Sequence, residues 1–227
     1  MANLNPQVET RGDPTPTTLG GKIRLARLAR GYGVRELARL LKCSPSLISQ
    51  IERDKANPSV NTLYSIASVL GISVDSMFEA REINPIATRH HTGDDGRLDD
   101  EPALAPSDPR LKPTVQHRDK RLAINLDHGL RWELLTPTPE HNNEFMEVTY
   151  PVGSSSAADD EFVRHSGREY AVIIEGALHA RIGLEEFELG PGDSLSFDPT
   201  TPHRFWNDGK KSVRAVWFVQ DRWTPGE

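Results

Sequence analysis

Between Ser44 and Lys55 the chain sets short polar side chains and cations at the spacing of one helical face: Pro45, Ser46, Ser49, Gln50 and Arg53. Ile48 and Ile51 fall on the other side. On a 3.6-residue period such a helix buries its isoleucines and turns the polar set outward. The chemistry open to that face is recognition of a DNA duplex. Small side chains permit close approach, an amide such as Gln50 can take adenine through two hydrogen bonds, and a guanidinium such as Arg53 suits guanine or phosphate. Ser44 at the head of this helix is a further DNA-contact candidate; Lys55, in the polar turn that follows, and Arg35, on the helix before, add cations within reach of a phosphate backbone.

The elements that must position this face can be read around it. Ser44 then Pro45 is a helix start, because the serine oxygen accepts an unpaired backbone N–H and proline loses nothing at the first helical position. Upstream, Val34, Leu37, Ala38 and Leu41 recur at i, i+3, i+4 and i+7, an apolar stripe that needs a core. Lys42 and Cys43 leave the pattern and mark a tight turn. The stretch from Val34 to Arg53 resembles the helix-turn-helix of the phage-repressor-like family, often called XRE, and the resemblance runs from about Thr18 to Ala80. It implies a five-helix bundle: Leu19 to Ala29, the two helices just described, a fourth capped by Ser59 with Leu63, Ile66, Ala67 and Leu70 inside, and a short fifth from Val74 to Phe78. Members of the family commonly pair an arginine of the first helix with a glutamate ending the recognition helix; the matching residues are Arg27 and Glu52. A helical hairpin serving only dimerisation is the alternative use of the segment.

Charge is divided along the chain. Residues 18–80 hold nine Lys or Arg against five acids, net +4, while the whole chain stands at −6, so the body after the head is acidic. A basic head on an acidic body fits a head that meets phosphate and a body that does not. At 227 residues with mean hydropathy −0.54, one large or two small soluble domains are expected. No run is long and apolar enough for a membrane span, and the first seventeen residues lack the apolar core of a secretory signal, so a cytoplasmic protein is expected. Cys43 is the sole cysteine, either a small turn-filling residue or a redox-sensitive thiol.

Residues 1–17 read as a disordered arm, and 81–114 as a flexible acidic linker with five prolines. In that linker His90 and His91 lie near a run of acids, as a metal site or as a solvated loop. From 115 to 227 the period changes to two. Strands are predicted over 121–125, 130–135, 144–150, 169–174, 177–182, 185–189, 194–197, 203–206 and 213–219, separated by turns such as Gly190-Pro191-Gly192-Asp193. Many short strands with no helical insert predict a sandwich or barrel.

Two of these stretches, His165 to Gly176 and Gly190 to Asn207, resemble the two motifs of the cupin family, a double-stranded β-helix or jelly-roll barrel. Carried over residue by residue, the resemblance places His165, Glu169 and His203 at metal-ligand positions, with Val163 where a further histidine belongs. Two histidines and one carboxylate can hold a divalent ion with open positions, zinc, iron, nickel or manganese. Alternatively, the histidines hydrogen-bond a small molecule in a metal-free pocket, and Asn207 shapes a turn. By strand alternation Val163, Ala171, Ile173 and Phe205 share the inner face, with Trp132, Met146, Tyr150 and Trp217 as candidates from other strands.

A helix-turn-helix followed by one cupin resembles a group of bacterial transcription regulators. The resemblance implies a homodimer on a palindromic operator in double-stranded DNA, with a small-molecule effector in the cupin. The same layout resembles hydroxypropylphosphonate epoxidase, a non-haem iron cupin enzyme that retains a helix-turn-helix, and this is the alternative.

Overall fold

The computed structural model describes residues 18–78, 115–140 and 143–220. The arm at 1–17 and the linker with its histidine pair lie outside the described residues. Four helices open the chain: α1 (Leu19–Ala29), α2 (Val34–Leu40), α3 (Pro45–Ile51) and α4 (Val60–Leu70). Three start on a side chain that accepts a backbone N–H of its own first turn: Thr18, Ser44 and Ser59. Their apolar stripes meet in one core of Ile23, Leu37, Ile48, Ile51, Leu63, Ile66 and Leu70. Gly71 ends α4 in the left-handed region at φ +60°, where a side chain would be strained.

The predicted fifth helix is instead a single 3-10 turn, Asp75–Met77. Five residues are too few to repay helix nucleation, and the side chain of Lys22 takes up the carbonyls of Ser76 and Phe78 that a longer helix would have used. Met77 and Phe78 still close the base of the head core.

Arg27 and Glu52 do pair. Arg27 Nε and Nη2 donate to the two carboxylate oxygens of Glu52 at 2.5 and 2.8 Å, and Nη1 donates to the Tyr32 carbonyl at 2.7 Å. Both residues are buried, so this fork ties α1 to the C-terminal end of α3 in a region of low dielectric. Alongside it, the Gly20 N–H donates to Asp54, and a Cβ on Gly20 would collide with the Ile51 carbonyl.

Among the described residues nine strands follow the head: β1 (Ala123–Asn125), β2 (Arg131–Leu134), β3 (Asn143–Tyr150), β4 (Arg168–Glu175), β5 (Leu178–Ile182), β6 (Glu185–Leu189), β7 (Ser194–Phe197), β8 (His203–Trp206) and β9 (Val213–Gln220). All pairings are antiparallel. One sheet runs β1-β2-β3-β9-β4-β7, the other β6-β5-β8. The run from Ser155 to Val163 bridges to Trp206 and His203 beside β8. Facing inner sides of the two sheets, with Trp132, Met146, Val148, Phe205 and Trp217 among them, make the barrel core. The sequence-predicted strands lie within a few residues of these, because polar-apolar alternation and glycine turns carry the signal. No helix among the described residues is long and apolar enough to cross a membrane.

The Arg27–Glu52 fork yields a first prediction. Glu52→Ala leaves a buried guanidinium without its partner and is expected to destabilise the head by about 3 kcal/mol in chemical denaturation. In a double-mutant cycle with Arg27→Ala, a coupling near zero would show that the fork does not hold α3 in place.

Candidate functional site

On the head, Ser44 is spent on capping: its Oγ accepts the Leu47 N–H at 3.1 Å. Arg35, Pro45, Ser46, Gln50, Arg53 and Lys55 are exposed, and Ser49 is half-buried. Arg53 Nε donates to the Ser49 carbonyl at 2.9 Å, which orders the side chain at the end of α3. These groups form a polar, cation-bearing surface on a helix whose isoleucines lie in the core, an arrangement able to enter a major groove.

In the barrel, three side chains meet. Glu169 stands near the start of β4, His165 in the preceding loop and His203 at the start of β8, and one donor atom from each lies within 4.8 Å of the others. His165 Nε2 is 2.6 Å from Glu169 Oε1, and His203 Nε2 is 3.4 Å from the same oxygen. The other ring nitrogens face backbone carbonyls, Nδ1 of His165 at 2.9 Å from Ser166 and Nδ1 of His203 at 3.0 Å from Thr201. A carbonyl only accepts, so each Nδ1 carries its proton and each Nε2 is turned toward the carboxylate. The second carboxylate oxygen accepts the Trp217 indole N–H at 2.7 Å.

Charge follows from these contacts. Burial opposes a charged His165, but the hydrogen bond and charge of Glu169 outweigh it, and its pKa is raised. Burial pushes the Glu169 carboxyl up, and His165 more than reverses this, so it lies below the usual carboxylate range. His203 is pushed down by burial, against the pull of Glu169. Such a donor set fits a divalent ion: two Nε2 atoms and one carboxylate converge, and both rings are fixed by their Nδ1 contacts.

Of the residues predicted for the effector pocket, Val163, Phe205, Trp132, Met146, Tyr150 and Trp217 line the cavity around this cluster. Ala171 and Ile173 are buried in β4 but are not among its lining residues. Glu169 takes the inner position at that end of the strand, so these two pack further along it. Val163 is fully inside and exchanges two backbone hydrogen bonds with His203, so an apolar side chain occupies the place of the missing histidine. Asn207 is a turn residue: its amide donates to the carbonyls of Tyr150 and Lys211 and its oxygen accepts the Gly209 N–H.

Sequence reasoning missed one wall of the cavity, Val60 and Tyr64 of α4. The Tyr64 ring stacks on His165 with centroids 4.0 Å apart and planes 9° from parallel, and its hydroxyl donates to Glu144 at 3.1 Å. Close by, the Asp127 N–H donates to the Pro58 carbonyl, a further tie between head and barrel. Two signals were available. Val60 continues the stripe of Leu63, Ile66, Ala67 and Leu70 and Tyr64 widens it at its edge, so the apolar face of α4 is broader than the head alone needs. Glu144 shares inward parity on β3 with Met146, Val148 and Tyr150. The cavity also carries an unmet donor: the Trp132 indole N–H is buried without an acceptor among the described residues.

Comparison with known proteins agrees with both halves. A helix-turn-helix family model matches residues 23–77 and a cupin domain model matches residues 146–219. The chain is 24% identical over 197 residues to the HTH-type transcriptional regulator PuuR of Escherichia coli, covering 87% of this chain and 91% of that protein. It is 33% identical over 84 residues to the HTH-type transcriptional regulator SinR of Bacillus subtilis, covering 37% of this chain and 68% of that one. An HTH_3 family transcriptional regulator from Vibrio cholerae superposes with a TM-score of 0.55 at 19% identity, over 90% of this chain and 95% of that one, which shows the shared fold.

Glu144 provides a second prediction. Burial is the main cause that pushes its carboxyl up to about 8, against the opposing pull of His165 and the Tyr64 hydroxyl. A raised value in the folded state means that the contribution to stability is complete below the ordinary carboxylate range and is lost as pH rises to about 8. The melting temperature of the wild type is expected to fall over that window by several degrees more than that of Glu144→Gln, which cannot ionise. Parallel pH profiles for the two proteins would show that Glu144 is ionised in the fold.

Proposed function

Because this chain belongs to the XRE-type helix-turn-helix transcriptional regulators and carries a C-terminal cupin domain, we propose that it binds an operator through α3 and reads a metal ion, a small metabolite or both in its barrel. Gln50 and Arg53 contact base edges, Ser46 and Ser49 allow close approach, and Arg35 and Lys55 hold the phosphate backbone. A homodimer places two copies of α3 on the half-sites of a palindrome, one DNA turn apart. Occupancy of the barrel shifts the geometry of the two heads, and DNA affinity changes with it.

What carries this reading is the convergence of His165, Glu169 and His203 inside a closed barrel, in a chain whose basic head exposes Gln50 and Arg53. A bound divalent ion would supply a Lewis acid with coordination positions open to a further ligand. His165, Glu169 and His203 would hold it, and Trp217 would keep the carboxylate in place. Both imidazoles must offer an unprotonated Nε2 to the ion, and the contact with Glu169 raises the pKa of His165, so ion uptake is expected to tighten as pH rises. The related regulators favour this reading over the epoxidase alternative.

Two measurements on the purified full-length protein test the reading. Metal content is expected to be stoichiometric in the wild type and absent in His165→Ala, with a changed DNA affinity after chelation. No metal in the wild type, with DNA binding intact, would make the barrel an organic-ligand pocket. A footprint on a palindrome is expected to weaken by roughly a hundredfold in the Gln50→Ala, Arg53→Ala double variant, as the loss of two base contacts implies. An unchanged footprint would remove α3 from the reading.

A further inference from the structure

The cavity around His165, Glu169 and His203 measures about 30 Å³. That is room for an ion or a water molecule or two, whereas pockets that hold metabolites run to about 300 Å³ or more. The head accounts for part of the shortfall. Val60 and Tyr64 of α4 form one wall, and the Tyr64 ring covers a face of His165 that would otherwise be open to an occupant.

We propose, resting on the sensor reading above, that Tyr64 is the lid of the barrel site: it closes the cavity by stacking on His165 and donating to Glu144, and a metabolite enters only by displacing it. Displacement costs the head contacts that include the stack on His165, the hydrogen bond to Glu144 and the ring contact with Trp132 at 6.0 Å. The DNA-binding head thereby detects an occupant directly, since both compete for the same groups. The vacated wall also selects. Glu144 loses its hydroxyl donor, and the Trp132 N–H is without an acceptor among the described residues. An occupant with one donor and one acceptor satisfies both. Among the described residues no Lys or Arg lines the cavity, so phosphate esters and polycarboxylates are disfavoured.

Carbethoxylation by diethyl pyrocarbonate, read histidine by histidine by mass spectrometry on the full-length protein, tests the lid without any ligand. His128 is an internal standard, its side chain 59% exposed, whereas that of His165 is 8% exposed. Labelling is run at mildly alkaline pH, because only unprotonated imidazole reacts; in the wild type His165 is expected to react roughly tenfold or more slowly than His128, and in Tyr64→Ala severalfold faster than in the wild type. Tyr64→Phe keeps the stack and loses only the hydrogen bond, so its His165 is expected to remain largely protected. Equal His165 reactivity in the wild type and Tyr64→Ala, with cooperative melting retained, overturns the proposal. If Tyr64→Ala does not melt cooperatively, Tyr64→Leu decides it by the same labelling: faster labelling of His165 supports the lid, and wild-type protection overturns it. Where the wild type takes up Zn²⁺, its release to a chelator is expected to be roughly tenfold faster in Tyr64→Ala, and equal release rates count against the lid. If no Zn²⁺ is taken up, the metal part of the sensor reading falls, and the labelling still decides the lid.

Discussion

A buried carboxylate organises the barrel. Glu169 is 3% exposed, a place where an ionised group is costly unless its lone pairs are met. Its partners come from separate parts of the chain: His165 from the loop before β4, Trp217 from β9 in the same sheet, and His203 from β8 in the facing sheet. The two sheets therefore meet around one negative charge and cannot simply collapse on apolar side chains there. The aromatic shell of Phe197, Phe205 and Trp217 thins the local dielectric and strengthens each of these contacts.

The same logic governs the head at a different scale. Arg27 and Glu52 are both buried and would each be costly alone, yet as a fork they fix how α3 leaves the core. The orientation of the outer face of α3 is thus set by charges on its inner side. In both domains a few buried polar contacts impose geometry on a core whose apolar residues supply most of the cohesion.

How far the sequence could be read depends on how local each signal is. Helix caps at Ser44 and Ser59, the stripe on α2 and the alternation of β3 and β9 are written within a few residues, and the elements follow them closely. His165, Glu169 and His203 are legible through the resemblance of their two stretches to the cupin motifs; four residues separate the first two, and the bridge between Val163 and His203 brings the third beside them. The short fifth element was misjudged, since the partner that takes its carbonyls, Lys22, lies more than fifty residues away. Tyr64 was out of reach for the same reason: eighty residues separate it from Glu144 and a hundred and one from His165. Pattern alone shows that α4 has apolar residues to spare, not which surface receives them.

That helix serves two neighbours at once. Leu63, Ile66, Ala67 and Leu70 belong to the core of the head, while Val60 and Tyr64 belong to the wall of the barrel. Recombination between relatives would then not exchange the two domains as independent modules. A transplanted head carries its own residue at position 64 into a site encoded a hundred residues away, so a chimera can inherit an intact barrel sequence and an altered barrel chemistry.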